Sequence, residues 1–214
     1  MSKYELYSKT FMYLAIGLLI TFITGFGVSL NSTMLYNVVA GKSYILIWIL
    51  QFVLALFFSF RLAKMSKMEA VICYALYSFL TGLTFASLFA LFSISSIIIV
   101  FLLAACIFGI LAFIGITTKK DVTSIGTILF VGLIAIIIVS LINIFLGSGL
   151  LAIFISIVSI MIFLGYTVYD VKRLSILSMV NEEAAPIYGA FELYLDFINL
   201  FINLLELFAR NNNN

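Results

Sequence analysis

Acidic and amide side chains recur at helical spacing in an apolar segment near the C-terminus. An ionisable side chain inside a bilayer costs roughly 2.5–3.5 kcal/mol on insertion scales, so it usually faces protein or water and has a function. Asp196 lies near the middle of the segment. We therefore predict a carboxylate at the functional centre of a membrane protein. The residues that share this helical face are Glu192, Asp196, Asn199, Asn203 and Glu206.

A second acid, Asp170, follows Tyr169 at the end of the preceding apolar segment. Hydroxyl groups line up with it at helical spacing, and two earlier segments carry similar weakly polar stripes. Two interpretations stay open for the stripes, because Ser and Thr also pack membrane helices together without lining a polar interior. The stripe residues are Ser156, Ser159, Tyr166, Tyr74, Tyr77, Ser78, Thr81, Thr84, Ser140 and Asn143.

The composition indicates an integral membrane protein. The chain is 65% hydrophobic and only 9% charged, with a mean hydropathy of +1.30, whereas soluble domains are about 25% charged. A span needs about 20 residues, so 214 residues hold seven spans and little else. The chain has no His, so a titration near neutral pH must come from carboxylates in an unusual environment.

Hydropathy predicts an all-α membrane protein with seven transmembrane helices in a single domain, residues 1–214. Asn181, followed by two acids, predicts a cap for the last helix, which would then begin before Pro186. The predicted spans are Thr10–Leu30, Ser43–Phe60, Ala70–Phe92, Ile97–Thr117, Ser124–Leu146, Leu150–Tyr169 and Pro186–Phe208.

The basic residues predict a cytoplasmic N-terminus and an external C-terminus. Nine of them fall on the N-terminal side of the predicted membrane, and only Lys42 and Arg210 fall on the other. The first segment is of span length and lacks a small-residue cleavage site, so we expect it to be retained. The nine are Lys3, Lys9, Arg61, Lys64, Lys67, Lys119, Lys120, Lys172 and Arg173.

Several classes of function lack their motifs in this chain. Cys73 and Cys106 are isolated within apolar spans, where a reduced cysteine packs like a small hydrophobic residue. The sequence has no His/Cys metal cluster, no phosphate-binding glycine loop and no nucleophile elbow. The basic residues do not form a nucleic-acid-binding stripe. We expect neither an enzyme nor a resident cofactor, and no nucleic-acid partner.

The two aspartates can meet only under one condition. On the predicted spans, Asp196 lies about ten residues, or roughly 15 Å, from the cytoplasmic end of its helix, and Asp170 lies at that end. The sixth helix must therefore continue beyond Asp170, to about Leu177, for the two carboxyl groups to approach each other. The amphipathic continuation of the sequence permits this.

The segment Leu193–Phe201, together with Tyr169-Asp170, resembles the signature of the Bax-inhibitor (transmembrane Bax inhibitor motif) family. The resemblance extends over the whole chain and implies a bacterial member in the cell membrane. It implies a central C-terminal helix surrounded by six others. It also implies a pH-sensitive calcium leak, with Asp170 and Asp196 as a hydrogen-bonded pair. A basic residue after the second helix, here either Arg61 or Lys64, would latch one of these acids.

The chemistry of the residues is consistent with that implication. Two carboxyl groups in a low-dielectric site cannot both ionise cheaply, so they share a proton and the pair becomes sensitive to pH. Calcium prefers six to eight oxygen ligands, so Asp170 and Asp196 with nearby amides make only a weak site, which suits an ion that must also leave. The bilayer, calcium ions and protons are the expected partners. Candidate pore-lining residues are Glu192, Asn199, Asn203 and Glu206.

Three other functions are alternatives to a calcium leak. Tyr169-Asp170 resembles half of an intramembrane aspartyl protease signature, but the Gly-x-Gly-Asp half is missing, since Leu193-Tyr194-Leu195 precedes Asp196. A secondary transporter or cation/proton antiporter could use buried acids, although the sequence shows no inverted repeat or interrupted helices. A regulatory membrane scaffold that acts through protein partners is the third.

Overall fold

The computed structural model describes residues 1–39, 42–61 and 64–212. Over these residues the protein is helical throughout, without a strand, which confirms the all-α prediction. The described helices are α1 (Lys3–Ser29), α2 (Ser32–Val39), α3 (Lys42–Arg61), α4 (Lys67–Leu91), α5 (Ile94–Thr117), α6 (Thr123–Leu146), α7 (Gly149–Val180) and α8 (Ala185–Asn212).

Six of these helices, α1 and α3 to α7, are long and apolar enough to cross a membrane. The predicted seventh span, α8, is not among the six; this helix carries three acids, Glu192, Asp196 and Glu206, among its apolar residues. The short helix α2 lies where we predicted a loop, of which Ala40 and Gly41 fall outside the described residues. The count of seven membrane-spanning helices and the central position of α8 stay predictions.

Local hydrogen bonds define where the helices begin and end. Ser66 and Glu69 form a reciprocal capping box at the start of α4. Gly147 ends α6 with a φ of 61°, a left-handed conformation that favours glycine. The Asn181 carbonyl oxygen Oδ1 accepts from the Ala184 N–H at 3.1 Å, and α8 begins at Ala185. The cap predicted at Asn181, ahead of Pro186, is thus confirmed.

Helix α7 continues ten residues past Asp170, to Val180, so the predicted end at Tyr169 is wrong. The continuation is stabilised by Val171, Leu174 and Leu177, which recur at helical spacing and are all buried. Charged residues between them lower the hydropathy without ending the helix. Asp170 consequently lies within a long helix, which meets the condition stated above for its approach to Asp196.

The helices pack into two compact units. Unit 1 comprises Met1–Ile94 and Leu174–Tyr194, and unit 2 comprises Ser95–Arg173 and Leu195–Asn214. Helices α7 and α8 each contribute one part to each unit. The prediction of a single domain over residues 1–214 stays a prediction.

In unit 1, small residues bring α1 and α4 together. A Cβ on Gly25 would stand 3.0 Å from the Gly82 carbonyl oxygen, and a Cβ on Gly82 would stand 2.5 Å from the Thr24 Cβ. Such close backbone approach is typical of membrane helices. The hydrophobic effect does not drive their association in lipid, and small residues allow the close packing that does. Aromatic rings fill the space between α3, α4 and α8; Phe58 stacks on Phe191 with 4.6 Å between ring centroids.

In unit 2, helix α8 packs against α5 and α7 contacts both α5 and α6. The Phe197 ring lies 5.3 Å from that of Phe101 and 5.6 Å from that of Phe108, centroid to centroid. A Cβ on Gly115 would stand 2.8 Å from the Val171 Cβ, so α5 and α7 are in close contact beside Asp170. Helix α6 is mostly exposed, as expected of a helix that faces lipid.

Candidate functional site: a buried carboxylate pair

The two predicted aspartates are both buried in unit 2. Asp170, on α7, is 7% exposed and Asp196, on α8, is 4% exposed. Tyr166 lies one turn before Asp170, and its side chain is within electrostatic range of both carboxylates. Asp170 and Asp196 thus both lie in the part of unit 2 that contains Tyr166.

Aromatic rings and a buried hydroxyl group lie close in sequence to the two aspartates. The rings of Phe101 and Phe108 pack on Phe197, the residue after Asp196. The Thr167 hydroxyl is fully buried and donates to the Phe163 carbonyl oxygen at 2.8 Å, so it is committed to its own helix. A low-dielectric wall of this kind strengthens any interaction between charges.

A cationic side chain lies two residues after Asp170. The Lys172 ammonium donates to the Thr118 carbonyl oxygen, which ties α7 to the loop between α5 and α6. Asp121 of the same loop accepts from the Thr123 hydroxyl at 2.6 Å and from the Thr123 N–H at 2.9 Å. These hydrogen bonds lower the pKa of Asp121. This exposed acid thus stays ionised around neutral pH.

The two candidate asparagines use their amide nitrogens to bond their own helix. The Asn199 amide nitrogen donates to the Leu195 carbonyl oxygen, and that of Asn203 donates to the Asn199 carbonyl oxygen, each at 2.8 Å. Only the NH₂ group can donate to a carbonyl, so the orientation of each amide follows from its hydrogen bond. The Oδ1 atoms take no part in these two hydrogen bonds.

Glu206 continues this line of oxygen atoms. Its Oε2 accepts from the Ser156 hydroxyl of α7 at 3.0 Å, and Ser156 is itself buried. From Asp196 to Glu206 the oxygens span ten residues of α8, or about 15 Å. Glu192, the other candidate pore-lining residue, is half-buried and belongs to unit 1, one turn before Asp196.

The two candidate latch residues are exposed in unit 1. The Arg61 guanidinium lies over the Phe57 ring, 5.5 Å from its centroid, and also interacts electrostatically with Glu69. Lys64 is exposed in the turn that follows. The Asn181 amide nitrogen donates to the Met65 carbonyl oxygen at 2.9 Å, which holds this turn against the start of α8. Because Asp170 belongs to unit 2, a latch to Arg61 or Lys64 stays a prediction.

Sequence reasoning placed Tyr166 on a polar stripe but did not include it in the site. Its position one turn before Asp170 was the available signal. Among the residues that the structure describes, no three acidic or thiol side chains gather into a metal cluster. The oxygens present fit a transient, partly hydrated divalent ion better than a tightly held one.

Apolar helices of membrane-spanning length around buried carboxylates define an integral membrane protein. The family model described as "inhibitor of apoptosis-promoting Bax1" matches residues 4–213. The chain therefore belongs to this Bax inhibitor-like family, which confirms the resemblance seen in its sequence.

Three relatives illustrate the family. The chain is 35% identical over 218 residues to an uncharacterized protein of Borreliella burgdorferi, covering 99% of this chain and 94% of that protein. It is 39% identical over 117 residues to an uncharacterized membrane protein of Streptococcus pyogenes serotype M3, covering 52% and 50%. It is 37% identical over 116 residues to the inner membrane protein YbhL of Escherichia coli K12, covering 51% and 50%. The chain thus spans about half the length of these last two relatives.

Proposed function

We propose that this protein is a pH-sensitive calcium leak channel in which Asp170 and Asp196 form a coupled carboxyl pair. The observation that carries the proposal is the burial of both acids in unit 2, within electrostatic range of the Tyr166 side chain. A buried ionisable residue is expensive in a membrane and normally serves an ion or proton pathway.

The pH dependence follows from the pair. Two nearby carboxylates with little water between them repel each other, so the pair retains one proton where isolated carboxyl groups would have lost theirs. Full ionisation as the pH rises adds a second negative charge, which favours a salt bridge to a basic residue and the closed state. Acidification removes that charge, so we expect opening to be favoured as the pH falls.

The choice of calcium rests on the oxygen atoms of α8. After Asp196, the same face of α8 carries the amides of Asn199 and Asn203, whose Oδ1 atoms take no part in the bonds to the helix, and then the Glu206 carboxylate. Hard cations prefer carboxylate and amide oxygens, and a path needs sites weak enough for the ion to leave. A series of single oxygens spaced along a helix provides weak, successive sites without a closed cage.

Calcium release from liposomes tests the proposal. The purified protein is reconstituted with a trapped calcium indicator, and both sides are set to the same pH between about 6 and about 8. We expect release down the calcium gradient that depends on pH and needs no opposing gradient. Release only when a proton gradient opposes calcium would indicate an antiporter instead, and absence of release at every pH would refute a leak.

The variant Asp170→Asn tests whether calcium release depends on the buried aspartates. Its matched control is Asp121→Asn. Both variants remove one acid of unit 2, but Asp121 is exposed in the loop before α6, where its carboxylate accepts hydrogen bonds from Thr123. We expect the pH profile to change in Asp170→Asn and to be retained in the control. Identical profiles in both variants would contradict a role for the buried pair.

A further inference from the structure

Unit 1 contains a buried cluster of hydroxyl groups that the proposed function does not use. Thr21 of α1, Tyr74 and Ser78 of α4, and Tyr194 of α8 are each at most 3% exposed. The Thr21 and Tyr194 hydroxyl groups are hydrogen-bonded at 2.5 Å, and Thr21 also donates to the Ser78 carbonyl oxygen at 3.0 Å. Three helices therefore meet at this hydroxyl cluster.

The other two hydroxyl groups of the cluster lie close together beside Gly17. The point where a Cβ on Gly17 would stand is 2.0 Å from the Tyr74 oxygen and 3.0 Å from the Ser78 oxygen. Both oxygens are fully buried and the two hydroxyl groups are within reach of each other, but neither makes a hydrogen bond of good geometry to a described residue. The Tyr194 hydroxyl lies close to that of Ser78. Three hydroxyl groups thus converge with bonding capacity to spare.

Buried polar groups are nearly always hydrogen-bonded, and where the protein does not supply the partner an ordered water often does. A buried water typically makes about three hydrogen bonds to such groups. We propose that the hydroxyl cluster is a binding site for internal water, held by Tyr74, Ser78 and Tyr194 between α1, α4 and α8.

The chemistry of the cluster favours water over a cation. Its members are neutral hydroxyl groups, each able both to donate and to accept, which matches a ligand that does both. The Thr81 hydroxyl, one turn along α4 from Ser78, is already used, since it donates to the Tyr77 carbonyl oxygen and accepts from the Gln51 amide. On α8, Tyr194 and Asp196 are two residues apart and so point to different sides of the helix.

Radiolytic footprinting in ¹⁸O-labelled water tests this proposal directly. An X-ray pulse produces hydroxyl radicals from water in place, and side chains next to a bound water become oxidised even when they are buried. We expect ¹⁸O incorporation at Tyr74 and Tyr194 several-fold above that at Phe58, an aromatic ring of the same unit with 0% exposure that stacks on Tyr188 and Phe191. Equal incorporation at all three residues would overturn the proposal.

The double variant Tyr74→Phe/Ser78→Ala should reduce the labelling of Tyr194 to the level of Phe58. Thr10→Val is the matched control, because Thr10 is fully buried in the same unit but its hydroxyl donates to its own helix at Leu6. Should the double variant fail to fold, Ser78→Ala alone serves. Tyr194 labelling that persists in the folded variant would show that Tyr74 and Ser78 hold no water. This outcome does not depend on whether the protein conducts calcium.

Discussion

Replacing Asp196 by Asn is the sharpest perturbation of the carboxylate pair. The substitution keeps the size of the side chain and its ability to accept a hydrogen bond, but it removes a negative charge at a position only 4% exposed. Asn199 and Asn203, on the same face of α8, already show that an amide is accommodated there. We therefore expect Asp196→Asn to fold, and its effects to report on the charge.

The expected magnitudes follow from Coulomb's law. Two unit charges about 5 Å apart repel by roughly 3 kcal/mol at an effective dielectric constant of about 20, which corresponds to about two pH units. In Asp196→Asn, Asp170 loses that repulsion and ionises at lower pH. The midpoint of the pH response should therefore move by about two units toward acid, which leaves calcium release flat between about pH 6 and about pH 8.

The same substitution should slow calcium release. One negative charge about 5 Å from a divalent cation contributes roughly 1.7 kcal/mol even when the intervening space is as polar as water, or about twentyfold in rate. Infrared spectra of the carboxyl bands, recorded against pH, measure the titration independently of the flux. An unshifted Asp170 band together with an unchanged pH profile would refute the coupled pair.

Two further predictions concern the packing and the gate. Gly115→Ala should lower the free energy of unfolding in mixed micelles by about 1–3 kcal/mol, because its Cβ would stand 2.8 Å from Val171 and 2.9 Å from the Val168 carbonyl oxygen. The control is Gly109→Ala on the same helix, whose Cβ would meet nothing within 4 Å and which should be neutral or slightly stabilising. Equal losses of stability in the two variants would argue against the close contact between α5 and α7. Neutralising the latch residue, by Arg61→Gln or Lys64→Gln, should raise the calcium leak at alkaline pH by about tenfold, because it leaves the buried Asp170 carboxylate without its counter-charge; breaking a fully buried pair costs roughly 3–5 kcal/mol, and the cost is lower here because both basic residues are exposed. Lys120→Gln is the control, and a leak unchanged in both latch variants would mean that the second predicted span supplies no latch.

Hydropathy predicted the bounds of the helices well where the helices are apolar on every side. The predicted spans for α5 and α6 agree with the structure within three residues at each end, because such helices are apolar on every side and end at polar or glycine-rich turns. The prediction failed at α7, whose last ten residues carry Lys172 and Arg173 among buried apolar residues. A window average cannot separate a helix that ends from one that becomes amphipathic.

The candidate site was accessible from sequence only in part. The spacing of Asp196, Asn199 and Asn203 reveals the polar face of α8, since a helix repeats every 3.6 residues. Tyr166 could not be distinguished from other hydroxyl-bearing residues, because its importance depends on which helix packs opposite. The hydroxyl cluster of unit 1 depends on three helices distant in sequence, and no local pattern connects Gly17 with Tyr74 and Tyr194.

The least apolar long helix of this protein is also among its most buried. Helix α8 has 0% exposure at Ala185, Ile187, Ala190, Leu193 and Leu200, yet it is not among the six helices with the hydropathy of a span. The two properties agree with each other, because a helix with largely buried sides does not need an apolar surface toward lipid. Its polar side chains are compensated by hydrogen bonds within the protein, as at Ser156 and Glu206. Low hydropathy combined with high burial therefore indicates the helix that carries the functional charges. We expect substitutions on α8 to alter calcium flux and substitutions on the exposed surface of α6 to leave it unchanged.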